Sequence, residues 1–454
     1  MKTYKIYLLS VICLIFLIFF SSFTYAQDSL TQQKKSTAKD SLTQQKKPTS
    51  KDSTDEGYKP MLGSRVANTK YGDINIRLYA YVRYLNQLGL DSSTYTNAFG
   101  SPSTLKERQD VQIQKVTVYF AGWFLDAKFR YFLYIWTNNA SQGLGAQVVV
   151  AGNLAYNFNK HISLIGGIMS LPGTRSTEGN FPFWLSVDNR LISDEFFRPS
   201  YTSGFQVKGE IVKKLNYNVM LGNNLSQLGV DAGQLDAGFN TLSAALTYFP
   251  TTGEYGMFNG SFGDYDNHQD VATRLGIHYT RSDETRQGQP STDAFENVQI
   301  RLSDGSVIFT PNLFGTGTQI DKARYQMTCF DAGIKHKGFA LEGEFNWRWI
   351  DNFSVTGPPL TFYRLKDYGF QLLGSAMIFP KKLQLYTTYS TIFGEYGDPY
   401  EFRAGLNLFP FKNKYARFNA QYIYQHKSPV GNTSLPYAVG GTGSIFNLDF
   451  EINF

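Results

Sequence analysis

From Asp73 to the last residue the chain alternates apolar and polar side chains in run after run. Ile74, Ile76, Leu78, Ala80, Val82 and Tyr84 share one face, with Asn75, Arg77, Tyr79, Tyr81 and Arg83 on the other. Leu341, Gly343, Phe345, Trp347 and Trp349 alternate in the same way with Glu342, Glu344, Asn346 and Arg348, and Phe402, Ala404, Leu406 and Leu408 with Glu401, Arg403, Gly405 and Asn407. The carboxy-terminal FNLDFEINF keeps the pattern to its end. A period of two is what a strand requires, and a helix would scatter these residues around its axis. The chain beyond Asp73 therefore reads as sheet.

Such alternation serves a soluble sandwich, with the apolar face inward, or a transmembrane barrel, with the apolar face to lipid and the polar face to the lumen. Three features separate them. The segments run to about 9 to 13 residues, the reach of a strand tilted across a bilayer, whereas soluble strands average roughly five or six. Short links around 157–160, 212–216, 249–256, 336–338, 379–382 and 409–414 take turns with long ones at 87–110, 170–202, 224–238, 351–362 and 427–442. That is the pattern of short periplasmic turns and long external loops. The terminal strand ends on Phe454, where it can close against the first strand near Ile74 and leave no edge. The expected fold is an all-β, transmembrane antiparallel β-barrel of about 16 to 18 strands with a disordered N-terminal arm. The higher number applies if VQIRLSDGSVIF, residues 298–309, adds a strand. A barrel of that size leaves an aqueous channel.

Residues 1–26 read as a cleavable export signal, with Lys2 and Lys5 before an apolar centre and a cut near Ala26. Residues 27–57 carry DSLTQQKK twice, at 28–35 and 40–47, a composition expected to remain a disordered periplasmic arm. Residues 58–454 are the barrel domain. Once the signal is gone Cys329 is the one cysteine left, so no intramolecular disulfide is possible. Aromatics at 16% beside a mean hydropathy of −0.28 suit a barrel with aromatic girdles and a polar interior. After residue 56, 35 Lys and Arg face 32 Asp and Glu without a concentrated basic patch, which speaks against nucleic acid. The expected location is the outer membrane of a Gram-negative cell, with its lipid as one partner. The terminal strand ending in Phe454 resembles the signal read by the barrel assembly machinery.

Enzyme signatures are missing from the sequence itself. His161, His268, His278, His336 and His426 lie far apart, and there is no GxSxG elbow, phosphate-binding GxxxxGK[ST] or cysteine cluster. No catalytic residue, metal site or cofactor is implied. The most distinctive loop is 170–202, which carries Arg175, Arg190 and Arg198 with Glu178, Asp188, Asp194 and Glu195, interleaved with Phe181, Phe183, Trp184, Phe196 and Phe197. One reading folds it into the lumen, with Arg175, Arg190, Arg198, Asp188 and Glu195 at a constriction that sorts ions by charge; the other leaves it packed at the mouth. The alternation puts Arg77, Arg83, Glu342, Glu344, Arg348 and Arg403 on the lumen side.

The runs EGNFPFWLSVDNRLISDEFFRPSYTSG, NNLSQLGVDAGQLDAG, PTTGEYG, FGDYDNHQDVATRLGIHYTRSDE, QIRLSDG and DAGIKHKGFALEGEF resemble the phosphate-selective porin O and P family in its Bacteroidota branch, over roughly residues 70–454. The resemblance implies an outer-membrane porin, commonly a homotrimer, whose third external loop narrows a pore for small solutes or anions. It does not by itself imply phosphate, since family members that bind it carry an arginine ladder and a lysine cluster. Here the matching arginines, Arg77, Arg83 and Arg348 with the three of the loop, face the acids Glu342, Glu344, Glu401, Asp449 and Glu451. A tetrahedral anion needs convergent donors with few competing carboxylates. A non-conducting structural or ligand-binding barrel in a surface complex is the alternative, and it predicts a plugged lumen.

Overall fold

A computed structural model describes residues 63–454 except 114, 139–146, 179–180, 182, 227–234, 237, 257–258, 290–299 and 432–434. The expected signal and arm lie outside these residues. The chain folds as a closed antiparallel barrel of 16 strands. The wall runs in order through β2 (Gly72–Leu90), β5 (Gln109–Gln112) continued by β6 (Lys115–Phe124), β7 (Asp126–Asn138), β8 (Gln147–Asn159), β9 (Ile162–Ser170), β10 (Tyr201–Val212) and β11 (Leu215–Gly222). It continues through β12 (Thr241–Tyr248), β13 (Ala272–Thr285), β14 (Gln319–His336), β15 (Phe339–Thr356), β16 (Arg364–Phe379), β17 (Leu383–Gly394), β18 (Tyr400–Leu408), β19 (Ala416–His426) and β20 (Gly443–Asn453). Two-residue turns such as Lys337–Gly338, both at positive φ, match the twist of paired strands.

The ends meet as the sequence predicts. β20 pairs antiparallel with β2 from Tyr79 opposite Asn453 to Leu90 opposite Gly443. β1 (Ser64–Thr69) pairs with the lower end of β2, Ser64 opposite Ile76, and continues the seam below Phe454. A further hairpin, β3 (Thr94–Thr96) with β4 (Pro102–Thr104), lies in the first external loop.

The alternation is inverted relative to a soluble protein. Ile74, Val82, Phe446, Leu448 and Phe450 point outward and are exposed, whereas Asn75, Arg77, Arg83, Asn447 and Asp449 point inward and are buried. An apolar exterior of this kind is a lipid-facing band.

Three expectations need correction. The segment expected at 298–309 forms no wall strand among its described residues, 300–309: a bridge joins Arg301 to Val307, and Ile300, Leu302, Ile308 and Phe309 are buried inside the external mouth. Its short apolar alternation packs against other loops instead of pairing in the wall, so 16 is the strand number. The link beginning at 249 is not short, because β13 starts only at Ala272. Finally, the lumen face is not polar throughout. Near the external end, Leu85, Ile350, Leu365, Ile392, Ile423 and Ile445 point inward and pack with Ile192, Phe197 and Leu302 in one apolar cluster.

Candidate functional site

The connection 171–200 between β9 and β10 descends into the barrel. A loop without regular structure must find partners for its backbone when it leaves water, and the wall supplies them. Arg83 donates to Val187 O at 2.6 Å, Arg417 to Trp184 O at 2.8 Å and Asn407 to Leu185 O at 2.8 Å. In return Ile192 N donates to Glu401 at 2.8 Å, Ser193 N to Ser390 at 3.0 Å and Arg175 N to Glu344 at 3.2 Å. Polar residues on the lumen face of β2, β15, β17, β18 and β19 thus hold one loop. A short helix, Ile192–Phe197, sets its apolar side into the external cluster.

All five charges expected at a constriction lie on this inward loop. Arg175 is buried and pairs with Glu342 at 2.5 Å. Arg198 and Glu195 form a two-point pair at 2.8 and 2.9 Å. Asp188 accepts from Tyr81 at 2.9 Å and Lys115 at 3.0 Å. Arg190 lies over the Trp184 ring, 4.2 Å from its centre, with Glu195 at 3.7 Å and Asp194 at 3.8 Å. A cavity of about 20 Å³ lies beside Arg190, lined also by Trp184, Gln371, Thr388 and Arg403, room for roughly one water.

The six wall residues expected in the lumen all face it and are buried. Arg83 pairs with Asp449 at 2.6 Å, Arg348 with Asp367 at 2.6 Å and Arg403 with Glu401 at 3.0 Å. Arg77 donates to Asn453 at 2.6 Å, and Glu344 receives the Arg175 amide. Sequence reasoning missed Lys335, Arg417, Arg274 and the buried pair of His278 with Asp331 at 2.8 Å. Each stands at an inward position of its strand, so extending the alternation through β13, β14 and β19 would have found them.

The segment 249–271 was not foreseen as part of the site. It rises from the turn side and meets the loop inside the barrel, where Phe262 N donates to Phe183 O at 3.0 Å. Lys335 donates to Tyr255 O at 2.9 Å and Ser261 O at 2.6 Å, while Arg175 reaches Gly260 O at 3.3 Å and Ser261 O at 3.1 Å. Gly263 N donates to the same Glu342 at 2.8 Å. At its rim His268 bridges Asp264 at 2.5 Å and Glu254 at 3.0 Å. The hydrogen bond that the His268 ring donates to Asp264 raises the His268 pKa against the opposing effect of burial.

One side of the lumen is less tightly packed. Toward the turn end of β8 to β11, the inward residues Asn153, Asn157, Ser163, Asn216 and Asn218 are half-buried, and Lys208 is exposed. Among the described residues no group of His, Cys, Asp and Glu side chains converges as a metal site.

No protein-family model and no curated protein matches the chain. Among solved structures it is similar to outer-membrane-expressed OmpT of Vibrio cholerae, at 10% identity and a TM-score of 0.52, over 86% of this chain and 99% of that one. It is also similar to an anion-selective porin from Comamonas acidovorans, at 9% identity and a TM-score of 0.51, over 84% and 100%. The trimer form of in-vitro folded Vibrio cholerae OmpT matches at 12% identity and a TM-score of 0.51, over 85% and 100%. At these identities the likeness is one of fold.

Proposed function

We propose that the chain is an outer-membrane porin of the phosphate-selective O and P type, passing small hydrophilic solutes or ions by diffusion, with the 171–200 loop as its constriction. The observation that carries this reading is that loop, which crosses the lumen against charged wall residues and leaves a polar, partly exposed strip toward the turn end of β8 to β11. An anion preference, phosphate included, rests on Lys208, which is exposed on that strip, and on Arg190 beside the internal cavity, whose carboxylate neighbours Glu195 and Asp194 stand at 3.7 and 3.8 Å, farther than the 2.5 and 2.8 Å contacts that close Arg175 and Arg198. Export by a signal cleaved near Ala26, a periplasmic arm over 27–57, assembly through the strand ending at Phe454 and a homotrimer complete the proposal.

The test is single-channel conductance of purified protein in planar bilayers under a salt gradient. Discrete steps with an anion-favouring reversal potential are expected, and Arg190→Glu should move that potential toward cations more than Arg175→Glu or Arg198→Glu. No shift in any of the three removes the constriction role from these residues. The second reading, a non-conducting structural or ligand-binding barrel, is favoured by the apolar packing of the external mouth. Folded protein that gives no steps would establish it.

A further inference from the structure

The lumen face of the closing seam carries a row of amides and one carboxylate whose hydrogen-bonding capacity the protein does not meet. On β19 and β20, Gln421 stands opposite Asn447 and Asn419 opposite Asp449; Gln425 lies above them and Asn453 below. All six are buried to 3% exposure or less. Both polar atoms of Asn447 and of Gln425 lack a protein partner, as do Gln421 Nε2, Asn419 Oδ1, Asp449 Oδ2 and Asn453 Nδ2. The partnered atoms of the same side chains are well fixed: Asn419 donates to Asn407 at 2.8 Å, Asp449 holds Arg83 and Asn453 accepts from Arg77. The free atoms of Asn419, Asp449 and Asn453 are therefore held in place by their own side chains' other bonds, whereas Asn447 and Gln425 are fixed by burial alone.

Buried donors and acceptors of this kind cost about 1 to 3 kcal/mol each when left unmet, and native proteins meet them with ordered water. Same-face rungs of a strand are spaced about 6.8 Å apart, two residues at about 3.4 Å, which one water between rungs can bridge. Donors (Gln421, Asn453) and acceptors (Asn419, Asp449) both occur along the row, as a water file needs. The nearby charges are neutralised in pairs, Arg83 with Asp449 and Arg417 with Glu451 at 2.6 Å, so the row offers polarity without net charge. One apolar level interrupts it, where Ile423 faces Ile445 beside Leu85. Short hydrophobic levels of this kind gate by dewetting.

We propose that these rungs hold a file of water along the β19–β20 seam, that water crosses the barrel by this route, and that the Ile423–Ile445 level limits its flow. The proposal rests on the diffusion-pore reading but narrows it: the seam takes water, and ions use another part of the lumen or none.

The experiment is osmotic water permeability of proteoliposomes by stopped-flow light scattering, with ionic conductance measured on the same preparations. Wild-type vesicles should shrink faster than protein-free ones, the double variant Asn447→Leu with Gln421→Leu should fall clearly below wild type with its ionic conductance unchanged, and Ile445→Ser should rise above wild type. Heat-modifiable migration in gels checks folding, and if the double variant does not fold, Ile445→Ser alone decides. Wild-type vesicles no faster than protein-free ones, an unchanged rate in the folded double variant, or no rise in Ile445→Ser overturns the seam. Water flow that obeys these expectations without ionic steps keeps the seam and removes the ion-conducting reading; ionic steps without seam-dependent water flow do the reverse.

Discussion

Leu78 and Phe454 hydrogen-bond in both directions, Leu78 N to Phe454 O at 2.6 Å and Phe454 N to Leu78 O at 3.0 Å. The last residue of the chain is thus a full rung of the ladder that closes the barrel. In lipid an open edge leaves backbone groups unpaired, each at a cost of several kcal/mol. Leu78→Pro removes one donor of this rung and should abolish the compact, heat-modifiable band, whereas Leu78→Ile should retain it. A folded Leu78→Pro barrel would mean that closure does not depend on this rung.

Glu342 is the common counter-charge of two buried cations. It pairs with Arg175 at 2.5 Å, lies 4.0 Å from Lys335, and also receives Gly263 N. Removing one partner of a buried pair typically costs about 3 to 5 kcal/mol because the other charge is left uncompensated. Glu342→Gln keeps the shape and should lower the denaturant midpoint in detergent. The double change Glu342→Gln with Arg175→Gln should recover part of the loss. A double loss equal to the sum of the losses in Glu342→Gln and Arg175→Gln alone would show that the pair itself contributes nothing.

His268 predicts a pH dependence at the turn-side rim. Its folded pKa lies above the ordinary 6.5 because Asp264 and Glu254 accept from the ring. The stability it contributes is then complete below that value and is lost as pH rises through the elevated folded pKa. For Asp264 burial pushes upward, but the bonds from His268 and Gly338 prevail and lower the pKa below 3.8. Its contribution is present above that value and is lost only in stronger acid. Wild-type stability, measured by chemical unfolding, should therefore decline between about pH 6 and alkaline pH by more than that of His268→Gln. Parallel curves for the two proteins would remove His268 from the latch.

The wall was legible because its period of two carries burial directly: a residue's parity fixes whether it meets lipid or lumen, and Arg77, Arg83, Glu342 and Arg348 could be placed without coordinates. The pairing of FNLDFEINF with the first strand followed from the need to close the edge. What the loops do inside was less legible. The segment 249–271 enters the barrel through backbone carbonyls taken by Lys335 and Arg175, and backbone acceptors leave no mark in a sequence. The apolar external mouth was hidden for a related reason. Ile423 and Ile445 break the polar parity of their strands by a single residue each, which reads as noise until the neighbouring strands bring them together.

Strand length differs around the barrel, and this bears on assembly. β9, β11 and β12 have 9, 8 and 8 residues, against 18 each in β14 and β15. At about 3.4 Å per residue and a tilt near 45°, 8 residues rise only ~19 Å, short of the ~30 Å hydrocarbon layer, while 18 rise ~43 Å. Next to the short β9, β8 carries Val150, 71% exposed, with Gly152 two residues further along the same face and Gly166 of β9 opposite Leu154, a stretch of outer wall with small side chains where a second subunit can approach closely. If copies associate there, the mismatch is covered by protein rather than by thinned lipid. Val150→Arg should then convert the oligomer to monomers on native gels, whereas Leu372→Arg on β16 should lower stability by about 2 to 4 kcal/mol at the bilayer midplane and leave the oligomer intact. Dissociation by Leu372→Arg and not by Val150→Arg would place the interface on the tall wall instead.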